Sequence, residues 1–215
     1  MFLFSDRENS FSVCTCAKCG STSLFMTLYA LISGSKNTRQ GPPWIHEFVK
    51  WNFPNVSSST YPGKLHLIMT RDPVERYVSA FHSKVKCCRD NRTSCYKDRG
   101  DDFVPSLATL AGGARRNCLT FDEYVNALER VQKANKESSL NAHFQPQDIA
   151  CPIPRGTPTL VFDVSVAGDF LAKLRGFELH ATKFIHAHAT RRDIVYDTTR
   201  LRAIAEREYT FVDRV

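Results

Sequence analysis

Residues 65–81 read LHLIMTRDPVERYVSAF and contain the strand-to-helix transition on which the fold depends. The mostly apolar residues 65–70 predict a buried strand. Asp72 as N-cap, Pro73 at the first helical position and Glu75 three residues after the cap then predict the start of a helix. Apolar side chains continue with helical spacing along this segment, at Val74, Tyr77, Val78 and Phe81. Arg71 is therefore expected at the carboxyl end of a strand, directly before a helix.

The same order of elements is predicted along the rest of the chain. Residues 11–16 predict a strand, residues 17–23 a loop of small residues and residues 24–32 a mostly apolar helix. Further elements are predicted at 120–131 (a helix with a second capping box), 159–163 (a strand), 166–174 (a helix) and 199–209 (a helix). Alternating strands and helices are typical of an α/β fold with a central parallel sheet flanked by helices. We expect one domain over residues 1–215, with an irregular cysteine-containing insertion at about 87–119.

The chain carries 29 Lys and Arg against 22 Asp and Glu, a formal net charge of +7 over 215 residues. This surplus favours anionic partners, although a basic solvated surface would explain it equally well. The hydrophobic fraction of 42% excludes a disordered chain, a collagen-like fibre and a coiled coil. The apolar run at 1–4 is too short for a signal peptide or an anchor, and no later run approaches the roughly 18 apolar residues of a spanning helix. We therefore expect no membrane span within this chain.

The loop over residues 17–23 has the composition of an anion-binding turn between a strand and a helix. Its backbone N–H groups and the start of the helix favour an anion, and Lys18 adds a mobile ammonium group. The pattern is not that of a Walker A loop, because Lys18 precedes Gly20 instead of following it. A plain strand–helix turn with a solvated lysine is the alternative. Since ligands of open α/β sheets bind at the carboxyl ends of the strands, Lys18 and Arg71 are expected in one crevice that suits a ligand with two anionic groups.

Taken together, the two loops resemble those of a known enzyme family. Residues 18–24, KCGSTSL, resemble the 5′-phosphosulfate loop of sulfotransferases that use 3′-phosphoadenosine 5′-phosphosulfate (PAPS), and residues 71–81 resemble their 3′-phosphate motif. Later segments resemble motifs of the Golgi carbohydrate sulfotransferases, namely FDEYV at 121–125, NAHFQPQDIAC at 141–151, IHAHAT at 185–190 and YTFVD at 209–213. The chain departs from that branch at Ala17, where proline is usual, and at His188, where asparagine is usual.

The resemblance implies a P-loop-like fold and a PAPS-dependent enzyme that transfers a sulfuryl group to a hydroxyl of a carbohydrate. The product would be 3′,5′-ADP, and no metal is implied. Lys18 would lie at the reacting sulfuryl group, while Arg71 and Ser79 would hold the 3′-phosphate. The residues implied to hold the 5′-phosphosulfate are Lys18, Cys19, Gly20, Ser21, Thr22 and Ser23.

The resemblance also implies partners and a location. The acceptor would be a glycan, with acidic glycans among the candidates, and no nucleic-acid partner is implied. The family places such enzymes as glycoproteins in the Golgi lumen or membrane. A complete chain without a signal or anchor would instead be cytoplasmic.

A base is needed to accept the proton of the acceptor hydroxyl. His46 is the first candidate, because related sulfotransferases often place a histidine or glutamate between the two phosphate motifs and because an ordinary histidine pKa suits neutral pH. Glu47 is the adjacent alternative. His143 and His186 lie in family motifs that are expected to shape the acceptor and nucleotide sites. Arg76 stays open between a ligand contact and an ion pair with an acidic neighbour.

The chain has eight cysteines, and their spacing allows two interpretations. Cys14, Cys16 and Cys19 resemble half of a zinc site, but a tetrahedral site there would distort a strand and a phosphate loop. Disulfides among the cysteines of residues 87–118, with Cys151 as a further partner, fit a luminal protein better. Their connectivity is left open by the sequence.

Two other functions are compatible with the same loops. A kinase-like phosphotransferase is disfavoured by the lysine-first loop and by the lack of an obvious Mg²⁺-binding carboxylate in the sequence. A non-catalytic module would bind a nucleotide or an acidic glycan in the same basic crevice without turnover.

Overall fold

The computed structural model of the chain describes residues 2–5, 11–26, 65–85, 103–113, 119–153, 156–167 and 196–212. These residues belong to two compact units. The first unit comprises residues 1–71, 151–190 and 212–215, and the second comprises residues 72–150 and 191–211.

Within the described residues, the first unit is built on a sheet of four strands. Its strands are β1 (Phe2–Ser5), β2 (Phe11–Thr15), β3 (Leu65–Thr70) and β4 (Thr159–Asp163), and they lie side by side in that order. β2, β3 and β4 are mutually parallel, which confirms the predicted α/β fold with a parallel sheet. β1 is an added antiparallel edge strand that the sequence pattern did not indicate, because its four residues lack a turn signal and alternation.

The register of the parallel strands brings their carboxyl ends to one edge of the sheet. Thr15 at the end of β2 pairs with Met69, and Thr70 at the end of β3 pairs with Asp163 at the end of β4. β3 is buried from residue 66 to residue 70, as expected for a parallel strand covered on both faces. The segments that follow β2, β3 and β4 therefore all leave the sheet at the edge where ligands of such folds bind.

The helix after β2, here α1, begins earlier than predicted. Residues 21–26 are helical, and the N–H of Leu24 bonds the carbonyl of Gly20 at 3.0 Å, which is a helical interaction. Ser21 and Ser23 therefore lie in the first turn of α1 and not in the preceding loop. β2 also ends at Thr15, one residue before the predicted end, whereas the strand predicted at 159–163 is confirmed. A short 3₁₀ turn, Val164–Val166, follows β4, and the remainder of the predicted 166–174 helix lies mainly outside the described residues.

The second unit is helical. Its helices are α2 (Pro73–Ala80), α3 (Phe103–Leu110), α4 (Phe121–Lys133), α5 (Gln147–Ala150) and α6 (Thr199–Val212), with a π-helical turn at Phe81–Val85 and a 3₁₀ turn at Glu137–Ser139. The capping box predicted before α4 is confirmed, because Thr120 and Glu123 bond each other's backbone N–H groups. α3 lies inside the insertion at about 87–119 that the sequence predicts to be irregular, so the prediction is wrong for residues 103–110.

A core of aromatic and aliphatic side chains joins these helices. Phe81 contacts the rings of Phe121, Tyr124 and Tyr196 at centroid distances of 5.2, 5.5 and 5.6 Å. α6 contributes Leu201 and other apolar side chains to the same core. Among the described helices, none is long and apolar enough to cross a membrane.

Candidate functional site

The loop between β2 and α1, residues 16–20, is a tight turn whose shape follows from its own residues. The N–H of Cys19 bonds the carbonyl of Cys16 at 3.2 Å, and Lys18 adopts a left-handed conformation with φ of 69°. Gly20 has a φ of 82°, and a Cβ atom on it would lie 2.5 Å from Cγ2 of Val164. A side chain at Gly20 would therefore be strained by both backbone and packing.

One disulfide lies within this loop, and a second one lies directly before it. Cys16 is bonded to Cys19, and Cys14 on β2 is bonded to Cys151. Cys151 is therefore bonded to a cysteine of the central sheet. The sequence had instead favoured a partner within residues 87–118, so this prediction was wrong. Because the Cys19 side chain is buried and cross-linked, only its backbone is placed to meet a ligand. Within the described ranges, no group of three or more His, Cys, Asp or Glu side chains is arranged to hold a metal ion.

Within the first unit, the loop meets the residue that follows β3. Nη1 of Arg71 donates to the carbonyl oxygen of Lys18 at 3.4 Å, and both residues are half-buried. Thr22 is also half-buried, whereas Ser21 and Ser23 are 8% and 4% exposed. The Arg71 side chain therefore contacts the backbone of the loop that carries Lys18, and the binding of one anionic ligand by these two residues stays a prediction.

The turn at Asp72 is closed by hydrogen bonds within the second unit. Oδ1 of Asp72 accepts the N–H of Glu75 at 2.8 Å, which confirms the predicted N-cap of α2. Oδ2 of Asp72 accepts the hydroxyl of Tyr209, on α6, at 3.0 Å. Burial, followed by the hydrogen bond to Asp72 and its charge, raises the pKa of Tyr209 to about 12. The phenol is therefore a neutral donor at physiological pH.

Arg76, on α2, lies in a buried ion pair. Its Nη2 is 3.3 and 3.4 Å from the two carboxylate oxygens of Glu208, and both side chains are excluded from solvent. Burial is the largest single influence and lowers the pKa of Arg76, but the interactions with Glu208, Tyr77 and Tyr124 together raise the pKa overall. Oε2 of Glu208 also accepts the N–H of Gln147 at 2.8 Å, and Nη1 of Arg76 reaches the carbonyl of His143 at 3.5 Å. The acidic-neighbour interpretation of Arg76 is the one that its contacts support.

Glu208 was not identified from the sequence, although a signal for it exists. Leu201, Ile204, Ala205 and Glu208 follow one another at the spacing of a single helix face, and all four are buried. A buried carboxylate on an otherwise apolar helix face requires a cationic partner. Arg76, within the motif at residues 71–81, is an arginine for which the sequence leaves an acidic neighbour open. The two observations together point to the pair.

Comparison with known proteins decides the family. The profile of the sulfotransferase family matches residues 1–203, which is most of the chain. This chain belongs to the sulfotransferase family. The predicted resemblance to the Golgi carbohydrate sulfotransferases is thereby confirmed at the level of the family. No curated protein and no solved structure matches the chain significantly.

Some of the other predicted site residues lie within the described part of the chain, and others lie outside it. Ser79 is a buried residue of α2, in the second unit. The histidine of the NAHFQPQ motif, His143, is held by Asn141, whose Oδ1 is 2.8 Å from Nδ1 of the ring and accepts the backbone N–H of His143 at 3.1 Å. The two base candidates, His46 and Glu47, lie outside the described residues, as does His186. Their roles stay predictions.

Proposed function

We propose that this sulfotransferase uses PAPS to transfer a sulfuryl group to a hydroxyl of a carbohydrate acceptor. Membership of the family implies PAPS as co-substrate. The contact between Arg71 and Lys18 carries the residue assignment, because it joins the arginine of the predicted 3′-phosphate motif to the predicted 5′-phosphosulfate loop within the first unit. The motifs at 121–125 and 141–151 favour a carbohydrate acceptor over other hydroxyl compounds.

The donor groups suit a nucleotide with anionic groups at two positions. Lys18, the backbone of Cys19 and Gly20, and the first turn of α1 with its three hydroxyl side chains would hold the 5′-phosphosulfate. Arg71 would hold the 3′-phosphate, since its planar fork matches phosphate oxygens, and Ser79 is the second residue that the family motif assigns to it. Gly20 lets the chain turn closely against the side chain of Val164, so the conformation of the loop depends on a glycine at that position.

In the proposed reaction, the acceptor oxygen attacks sulfur in line with the departing 5′-phosphate oxygen, and 3′,5′-ADP leaves. Negative charge grows on the bridging oxygen, and the Lys18 ammonium is assigned to stabilise that charge. The acceptor proton passes to a base, for which His46 is the first candidate and Glu47 the alternative.

The acceptor and the location are proposed on separate grounds. Two disulfides within the first unit are typical of a protein that matures in an oxidising compartment, which supports the Golgi lumen. Glycans in that compartment often carry acidic groups, and the net charge of +7 favours acidic acceptors.

The nucleotide assignment is tested by calorimetric titration of the wild type and of Arg71→Ala with 3′,5′-ADP. We expect the wild type to bind and Arg71→Ala to bind at least about tenfold more weakly, the scale of one lost hydrogen bond to a charged group. Arg200→Ala is the matched control, because Arg200 is an exposed arginine bound to Glu129 and Asn126. Absence of binding by folded wild type would contradict the proposal, and tight Mg²⁺-dependent ATP binding would favour a phosphotransferase.

Turnover is tested with the same proteins and with Lys18→Ala, on a panel of neutral and acidic glycans and on phenols. Lys18→Ala is expected to lower sulfuryl transfer at least about 100-fold, the effect of losing one transition-state donor, whereas Lys136→Ala on the surface should not change it. Binding of 3′,5′-ADP without transfer to any acceptor would indicate a non-catalytic module. Transfer to phenols alone would refute the carbohydrate acceptor.

A further inference from the structure

The hydroxyl of Tyr209 lies against the first turn of α2. It donates to Oδ2 of Asp72 at 3.0 Å, and it is also hydrogen-bonded to the backbone of Val74. Asp72 and Tyr209 are 137 positions apart in the sequence, so this contact forms only when α6 is folded against the start of α2. Both residues belong to the second unit.

The carboxylate of Asp72 is held on both of its oxygens. Oδ1 caps α2 through the N–H of Glu75, and Oδ2 accepts the Tyr209 hydroxyl. A side chain fixed at both oxygens also restricts its own backbone, which has φ of −44° and ψ of 122° here. Arg71 directly precedes Asp72 in the chain, so a change in the backbone at Asp72 acts on the peptide bond that follows Arg71.

The amides of the first turn of α2 are already engaged. Val74 is hydrogen-bonded to Tyr209, and Glu75 to Asp72. A 3′-phosphate near this turn would thus depend on side chains for its binding, and the direction of Arg71 becomes decisive.

We propose that Tyr209 is a positioning residue for recognition of the 3′-phosphate and that it acts on Arg71 through the carboxylate of Asp72. The inference rests on the proposed function, since it assumes that Arg71 binds the 3′-phosphate of the nucleotide. Loss of the hydroxyl releases one oxygen of Asp72 and loosens the turn without removing any group that touches the nucleotide.

The test compares the affinities of 3′,5′-ADP and 5′-AMP, which differ by the 3′-phosphate alone. Tyr209→Phe removes only the hydroxyl and should weaken 3′,5′-ADP up to about tenfold, because the variant must order the Arg71 side chain on binding whereas the wild type orders it beforehand. The affinity for 5′-AMP should not change. In an Asp72→Ala background, Tyr209→Phe should cause no further loss of affinity for 3′,5′-ADP, because the carboxylate through which Tyr209 acts on Arg71 is already absent.

Tyr124→Phe is the matched control for a merely structural effect. Tyr124 is a buried tyrosine of the same unit whose hydroxyl donates to the carbonyl of Tyr77 on α2 at 3.2 Å, without touching Asp72. This variant should lower thermal stability and leave the ratio of the two affinities unchanged. A Tyr209→Phe variant that keeps the wild-type ratio, or that weakens both nucleotides equally, would overturn the inference while leaving the proposed function intact. A wild type without preference for 3′,5′-ADP over 5′-AMP would overturn both.

Discussion

The loop after β2 and the turn after β3 are proposed to bind two anionic groups of one nucleotide, yet different interactions fix each of them. The loop has a set of contacts between neighbouring residues, namely the Cys16–Cys19 disulfide and the hydrogen bond between the same two residues, in addition to its contacts with Arg71 and Val164. Distant residues fix the turn: Glu208 binds Arg76 across 132 positions, and Tyr209 binds Asp72 across 137.

The difference shows that two segments proposed to bind the same ligand can depend on different parts of the fold for their conformation. A conformation that is set by adjacent residues is expected to persist when distant packing weakens. A turn that depends on α6 is expected to lose its geometry as soon as α6 separates from α2. Removal of the disulfides tests the contacts of the loop, and removal of the buried ion pair tests the contacts of the turn.

The largest expected effect concerns the two disulfides of the first unit. Cys14–Cys151 closes a separation of 137 residues, and its loss through Cys14→Ser with Cys151→Ser should lower the free energy of unfolding by about 5 kcal/mol. Cys16–Cys19 closes a separation of 3 residues, and the corresponding double serine variant should lose only about 2 kcal/mol. Chemical denaturation of both variants without reductant measures the difference. Equal losses would mean that the short cross-link supports more than its own loop.

The next effect concerns the buried ion pair of the second unit. Glu208→Gln leaves the charge of Arg76 buried without a counter-charge and should lower the free energy of unfolding by about 3–5 kcal/mol. Arg76→Met combined with Glu208→Leu should recover most of that loss, because no buried charge is left unpaired. Denaturant unfolding of the three proteins gives the values.

An exposed ion pair provides the control for this prediction. Arg200 and Glu129 are 2.7 Å apart, with side chains that are 45% and 29% exposed. Glu129→Gln should therefore cost less than about 1 kcal/mol. If Glu208→Gln cost no more than Glu129→Gln, the turn after β3 would not depend on the buried pair.

The two regions also differ in how far the sequence alone predicts them. The left-handed Gly20, the N-cap at Asp72 and the capping box at Thr120 are local features, so residue type and spacing predict them or leave a clear signal. The partners Glu208 and Tyr209 were missed, because a contact across more than a hundred residues follows from tertiary packing and not from a motif. The pairing of Cys14 with Cys151 was missed for the same reason, since four or more cysteines allow several connectivities.

The strands that carry the two segments are themselves joined by a buried pair, which gives the smallest expected effect. The hydroxyl of Ser12 on β2 is 2.7 Å from Nδ1 of His66 on β3, and both side chains are fully buried. Burial lowers the pKa of His66 from 6.5 to about 4, so the unfolded chain binds a proton between these pH values and the folded chain does not. The contribution of neutral His66 to the free energy of unfolding is therefore fully present above about pH 6.5. It falls as the pH decreases towards 4, by at most about 1.4 kcal/mol per pH unit.

Carboxylates titrate in the same pH range, so this contribution is measured as a difference between the wild type and His66→Asn. Both proteins are unfolded with denaturant at pH 7.5 and at pH 5. The loss on acidification should be smaller in His66→Asn, and identical losses in the two proteins would show that His66 takes up its proton equally well in the folded sheet.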